Sequence, residues 1–225
     1  MKMPIIGSYH GLIRMACMRK VRDITGYYYS GLSPDMYSAM CLSLLDDICF
    51  VEIGYPITIP GVCPDSTSAA SAKHQHIGQL KDAPHFIGNE GYVWDIRIPE
   101  YYSVETIWAE TMLKGIRAMK KDALIDTYFS EKRLIEQMFT NNIDNREQML
   151  QSFTKNQQKL IPSKIKEDDI GQKMIAVKGK IYSLSRYLMK KRLRYDNVQD
   201  IEEAVKIVET YLNQLNDSDL WKWSV

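Results

Sequence analysis

The sequence contains no Cys-x-x-Cys pair. Its four cysteines, Cys17, Cys41, Cys49 and Cys63, stand apart, which argues against a zinc ribbon, a thioredoxin-like redox motif or a disulfide-dense secreted scaffold and for a reducing cytosol. No charged segment followed by a long apolar run opens the chain, and no apolar stretch is long enough to cross a bilayer. The expectation is therefore a protein with neither a secretory signal nor a membrane span. An excess of charge of one sign is also missing: a net charge of +1 over 225 residues gives the whole molecule no general attraction for nucleic acid. There is no internal repeat, no low-complexity tract and no glycine-rich phosphate loop of the GxGxxG or Walker type. The only Asp-x-Asp is Asp217-Ser218-Asp219, near the C-terminus and behind no hydrophobic strand. What is present is ordinary for a globular protein, 45% hydrophobic and 25% charged, enough to bury a core.

Helical spacing of Leu12, Ile13, Ala16, Cys17, Val21 and Ile24, with Arg and Lys on the other face and Gly26 as a stop, predicts a first amphipathic helix. Ser33 in an N-cap position, Pro34 at the first helical position and Asp35 in the first turn predict a second helix, with Met36, Met40, Leu44 and Leu45 as its apolar residues. The β-branched and aromatic residues from Ile48 to Ile59 predict strand, bent or at an edge near Gly54 and Pro56. Gly61 to Lys73, rich in Ser and Thr, reads as a long loop of the kind that is functional or disordered. Ser103 caps a predicted helix to about Lys120 with the stripe Val104, Ile107, Trp108, Met112 and Ile116. Further helices are predicted over Glu131 to Thr140, Arg146 to Leu160, Met174 to Arg194 and Ile201 to Leu215.

Chemistry concentrates between Gly31 and Trp108, where an acid heads a helix and a polar loop follows a strand. Gly31-Leu32-Ser33-Pro34-Asp35-Met36-Tyr37, Tyr55-Pro56-Ile57-Thr58-Ile59-Pro60-Gly61, Ser68-Ala69-Ala70-Ser71-Ala72, Asp82-Ala83-Pro84-His85-Phe86 and Tyr102-Ser103-Val104-Glu105-Thr106-Ile107-Trp108-Ala109 together resemble the acceptor-side half of bacterial family 2 glycosyltransferases, over roughly Tyr9 to Trp108. The resemblance implies an α-rich α/β protein: a partial GT-A (Rossmann-like) domain over residues 1–98, followed by a helical extension over 99–225. It implies an inverting transfer of a sugar from a nucleotide sugar to a glycan or lipid-linked acceptor, in the synthesis of surface polysaccharide such as O-antigen. Asp35 takes the position of the family's catalytic base. A divalent metal, manganese or magnesium, would offset the charge of the leaving diphosphate in the complete enzyme. The nucleotide-binding half that would hold donor and metal is not recognisable in this chain, so the nucleotide sugar would be bound through a missing or separate half.

Substrate-binding candidates around Asp35 are Ser33, Ser66, Thr67, Ser68, His74, His76, Asp82, His85 and Trp94. Most of these, and the base itself, have a plainer reading beside them. Asp35 is also what the helix dipole favours in a first turn. His74, His76 and His85 can be solvated loop residues, the Ser66-Thr67-Ser68 hydroxyls simply a polar loop, and Trp94 or Trp108 core. Between Lys173 and Arg194 eight Lys or Arg residues occur with no Asp or Glu, around the apolar residues Val177, Ile181, Leu184 and Leu188. This basic amphipathic helix either packs on the stripe of the following helix or lies on an anionic membrane surface, placing the protein in the cytoplasm or peripherally at the inner membrane face. Trp221 and Trp223 are interfacial anchors or a docked tail. The competing class to the enzyme is a non-catalytic module that binds glycan, a partner or a membrane surface.

Overall fold

The computed structural model describes residues 9, 11–46, 48–53, 77–83, 86, 91–162, 198, 200–214 and 221–224, with 52, 53, 82 and 221–224 described in backbone only. The chain divides into two compact units, Met1–Leu45 with Val62–Val177, and Asp46–Gly61 with Lys178–Val225. Among the described residues helix predominates over short antiparallel strands, the α-rich mixture of α and β that the sequence predicts. No helix among them is long and apolar enough to cross a membrane.

In the first unit, α1 (Met15–Thr25) ends at Gly26, whose φ of 84° and N–H bond to the Arg22 carbonyl (2.7 Å) form a left-handed stop. Its predicted stripe is only partly used. Met18 and Val21 are buried, while Leu12 precedes the helix and is exposed, as is Ile24. α2 (Pro34–Ser43) begins at Pro34 as predicted, but it is not amphipathic: every residue from Met36 to Leu42 is buried. A helix covered on all sides belongs at the centre of its unit.

The partner that makes this possible is α3 (Val104–Ala118). Ser103 accepts the Thr106 N–H and Thr106 Oγ1 accepts the Ser103 N–H, a reciprocal cap that fixes its start. Gly115 on α3 lies against Met40 and Cys41, and a Cβ there would stand 3.4 Å from Met40 Cβ and Cγ. Glycine thus lets the two helices approach closely, and burial pushes the Cys41 thiol up to about 12.

α4 (Ala123–Tyr128), which the sequence pattern does not announce, buries Ile125. α5 (Glu131–Asn141) follows, capped by Ser130 and burying Ile135, Met138 and Phe139. The single helix predicted over Arg146 to Leu160 is instead two, α6 (Arg146–Ser152) and α7 (Lys155–Lys159). The break has a local cause: Thr154 Oγ1 accepts the Gln157 N–H (3.2 Å) while Gln157 Oε1 accepts the Thr154 N–H (3.0 Å), starting a new helix. Phe153, buried at the break, meets Phe139 edge to face at 5.7 Å. Met36, Met40, Ile98, Leu113, Ile116 and Ile125 form one core cluster, and Tyr101, Ile135, Met138, Phe139, Met149 and Phe153 a second. Two short strands, β2 (Gly78–Gln79) and β3 (Tyr101–Tyr102), pair antiparallel with Gly78 opposite Tyr102.

In the second unit, β1 (Phe50–Ile53) pairs antiparallel with β4 (Trp221–Ser224), Val51 opposite Trp223. The strand predicted from Ile48 to Ile59 is described over these four residues, and Trp221 and Trp223, read as interfacial anchors or a docked tail, lie in a strand paired with β1. α8 (Ile201–Leu212) starts at Asp200, whose carboxylate accepts the Glu203 N–H at 2.9 Å, and stops short of the predicted Leu215. The basic segment 173–194 lies outside the described residues.

Candidate functional site

Asp35 stands in the first turn of α2, half-buried, so its carboxylate is held by the fold and still reachable from solvent. Ser33 occupies the N-cap position without capping. Its hydroxyl donates instead to Asp35 Oδ1 at 2.6 Å, a short bond of the charge-assisted kind that orients the carboxylate. The turn behind it is anchored on α3: the Ser33 N–H donates to Thr111 Oγ1 at 3.2 Å, and Thr111 is fully buried. Gly31 completes the anchor. Its φ is +75° and a Cβ would lie 3.0 Å from Thr111 Cγ2, so both conformation and space call for glycine.

Tyr9 lies within electrostatic reach of the acid, and Tyr29 lies against Tyr9. Tyr9 and Tyr29 have ring centroids 6.3 Å apart and are 56% and 43% exposed. Burial, the Asp35 carboxylate and Tyr29 together push the Tyr9 phenol above its ordinary value, since each disfavours a further negative charge there. The arrangement is a carboxylate with hydroxyl support beside exposed, amphipathic rings, able to accept a proton from a hydroxylated ligand lying against them.

A buried polar frame braces the segment leading into α3. Glu110 on α3 is 3% exposed and accepts from Tyr92 Oη (3.1 Å) and from the Asp95 N–H (3.0 Å). Burial raises the Glu110 carboxyl above its usual range, more than these donors lower it. Burial also pushes Asp95 up. The Arg97 N–H at 2.9 Å and the Arg117 guanidinium outweigh that and hold it low. Lys114 lies 4.3 Å from the centroid of the Tyr92 ring, a cation–π contact on the same frame.

No family model, curated protein or solved structure matches this chain.

The substrate-binding candidates divide. Ser33 is bonded to Asp35 as above. The Trp94 ring packs on the core and against Phe86 (6.0 Å), and its N–H, the only polar group of the indole, donates to the Ile98 carbonyl at 2.9 Å. The Asp82 backbone closes a 3₁₀ turn, Leu80–Asp82. Ser66, Thr67, Ser68, His74, His76 and His85 lie outside the described residues. Sequence reasoning missed Tyr9, Tyr29 and Thr111. The Tyr27-Tyr28-Tyr29 run ahead of the Gly31 turn was the available signal for Tyr29. Among the described residues no group of three or more His, Cys, Asp or Glu side chains is placed to hold a metal ion, and Asp217-Ser218-Asp219 lies outside them.

Proposed function

We propose that this chain is the acceptor-side part of an inverting glycosyltransferase of the GT-A type, with Asp35 as its general base. The observation that carries the reading is the placement of Asp35: a solvent-reachable carboxylate at the head of a buried helix, oriented by Ser33 and within electrostatic reach of the exposed Tyr9, which pairs with Tyr29. By its position in the sequence Asp35 also resembles the catalytic base of family 2 glycosyltransferases. In the reaction, the acceptor hydroxyl gives its proton to Asp35 as its oxygen forms the new bond to the anomeric carbon. The bond from that carbon to the diphosphate oxygen breaks, and the nucleoside diphosphate leaves with the electron pair. The tyrosine faces suit the apolar face of a sugar ring. Donor binding and the divalent metal belong to a nucleotide-binding half joined to or partnered with this chain, so the chemistry assigned here is the proton transfer at Asp35.

The acceptor is a glycan or lipid-linked glycan, made into surface polysaccharide at the inner membrane face. Any attraction to that surface rests on residues 173–194, outside the described residues. The test uses the native gene product with radiolabelled nucleotide sugars and lipid-linked acceptor extracted from the source cells. Asp35→Asn should lower transfer by about a hundred- to ten-thousand-fold while the protein stays folded, with the melting temperature lowered by no more than a few degrees. Retained turnover removes Asp35 from the role. Glycan binding with no transfer by the wild type would replace the enzyme with the non-catalytic binding module.

A further inference from the structure

A cleft of about 240 Å³ opens between α3, α4 and α5, separate from the Asp35 turn. Val104, Glu105, Trp108, Ala109 and Met112 line it from α3, at spacings that place them on one face of that helix. Thr111, which anchors the Asp35 turn, is not among the lining residues. The floor is apolar, built from Trp108, Met112, Phe129 and Leu134, and Tyr128 stands at its side 68% exposed. The remaining polar lining is mixed: one carboxylate (Glu105), one guanidinium (Arg133), two carboxamides (Gln137 and Asn141) and the Ser130 hydroxyl, which caps α5.

These features narrow the ligand. A site for an anion or a cation would gather one sign of charge, and this rim does not. A site for a wholly apolar ligand would leave the Arg133 and Gln137 side chains, and the spare acceptor capacity of Glu105, unused at its edge. Forked donors and acceptors around aromatic faces match a neutral ring that carries hydroxyls at its edge and C–H bonds on its face. Glu105 is already oriented for this, its two oxygens accepting from the side-chain amides of Asn141 (2.7 Å) and Asn142 (3.4 Å). A carboxylate offers about four acceptor sites, so capacity remains. The volume lies below the usual range for drug-sized ligands. It suits one ring and not a chain of them.

We propose that the cleft between α3, α4 and α5 is a binding site for a single neutral sugar residue, with Trp108 and Tyr128 supplying aromatic faces and Glu105, Arg133, Gln137 and Asn141 reading the hydroxyls. The site does not depend on the glycosyltransferase reading, because none of its residues serves Asp35. The test is saturation-transfer NMR of the full chain with the methyl glycosides of glucose, galactose, mannose and N-acetylglucosamine, together with the Trp108 indole N–H resonance, assigned by Trp108→Phe. At least one glycoside should show transfer and shift that resonance. Tyr128→Ala and Gln137→Ala, both at exposed positions, should each weaken the binding about tenfold, and Asp35→Asn should leave it unchanged. Should Tyr128→Ala fail to fold, Gln137→Ala decides. The proposal is overturned if no glycoside binds, if binding survives the folded variants undiminished, or if benzoate, an aromatic anion, displaces the sugar from the cleft. Loss of transfer in Asp35→Asn with this binding intact would support both sites separately. Failure of the sugar to bind while transfer persists would sink only this one.

Discussion

Replacing Glu110 with alanine should destabilise the protein by about 2 to 3 kcal/mol. The substitution leaves the Asp95 N–H and the Tyr92 hydroxyl without the carboxylate oxygens they now reach at 3.0 and 3.1 Å. A buried donor left unsatisfied costs about 1 to 3 kcal/mol. Tyr92 is only partly buried and can recover some hydration. Removing a carboxylate whose burial already raises its pKa returns part of the loss. For a chain of this length about 1 kcal/mol moves Tm by roughly 2 to 4 °C, so the variant should melt on the order of 4 to 12 °C lower by circular dichroism. The pH dependence supplies an independent check. A carboxyl whose folded pKa lies above its unfolded value of 4.5 binds its proton more readily in the native state, so its contribution to stability declines as pH rises from the unfolded to the folded pKa and is flat above. The stability of wild type relative to Glu110→Gln should therefore improve as pH falls through that window toward 4.5. In the alanine background, Tyr92→Phe should cost almost nothing more, because its hydroxyl has already lost this acceptor. A variant melting within 1 °C of wild type, or a pH slope of the opposite sign, would refute the account of Glu110 as a buried clasp.

The remaining predictions address other parts of the fold. Gly31→Ala, forced to φ of +75° with its Cβ 3.0 Å from Thr111 Cγ2, should cost about 1 to 3 kcal/mol in urea titration and, on the reading of Asp35 as base, lower transfer as well. Thr154→Ala removes the cap that starts α7 and should cost about 1 kcal/mol, whereas Thr154→Ser should recover most of it. Gly115→Val should cost about 1 to 3 kcal/mol by overpacking against Met40 and Cys41. Iodoacetamide followed by peptide mass mapping should alkylate the exposed Cys49 readily and Cys41 only after unfolding, because Cys41 is fully buried and its thiol is pushed up to about 12. Rapid native labelling of Cys41 would contradict the packing of α2 on α3.

What the sequence shows of this fold follows the range over which each interaction acts. The start of α3 is legible because Ser103 and Thr106 are three residues apart, and the start of α2 because Pro34 and Asp35 are local signals. The burial of α2 on every side is not legible. It depends on Thr111 and Gly115, which reach Ser33 and Cys41 across separations of 78 and 74 residues. Nor did the α3 stripe identify Glu110 and Thr111 as buried: a glutamate on a helix looks solvated until its partners, Tyr92 and the Asp95 backbone, arrive from an irregular segment. The break at Thr154 has a local signal in the sequence. Thr-x-x-Gln is a capping signature, obscured here by an apolar pattern that runs on through Phe153. At the candidate site, Ser33 and Asp35 are only two residues apart and legible together, whereas Tyr9 comes near the acid only through the fold.

One helix links all these features, and that has a mechanical consequence. α3 holds the Asp35 turn through Thr111, the Tyr92–Asp95 segment through Glu110, α2 through Gly115, and one wall of the sugar-sized cleft through Glu105, Trp108 and Met112. Packed helices shift as rigid bodies between discrete arrangements and do not deform smoothly, so a change on one face of α3 should register on the others. The Glu110→Ala variant tests this without touching either candidate site. If α3 moves as a unit, glycoside binding in the cleft and the amide resonances of Ser33 and Asp35 should change together with the stability. If the loss stays local to Tyr92 and Asp95, α3 is a shared scaffold and the two sites are energetically separate.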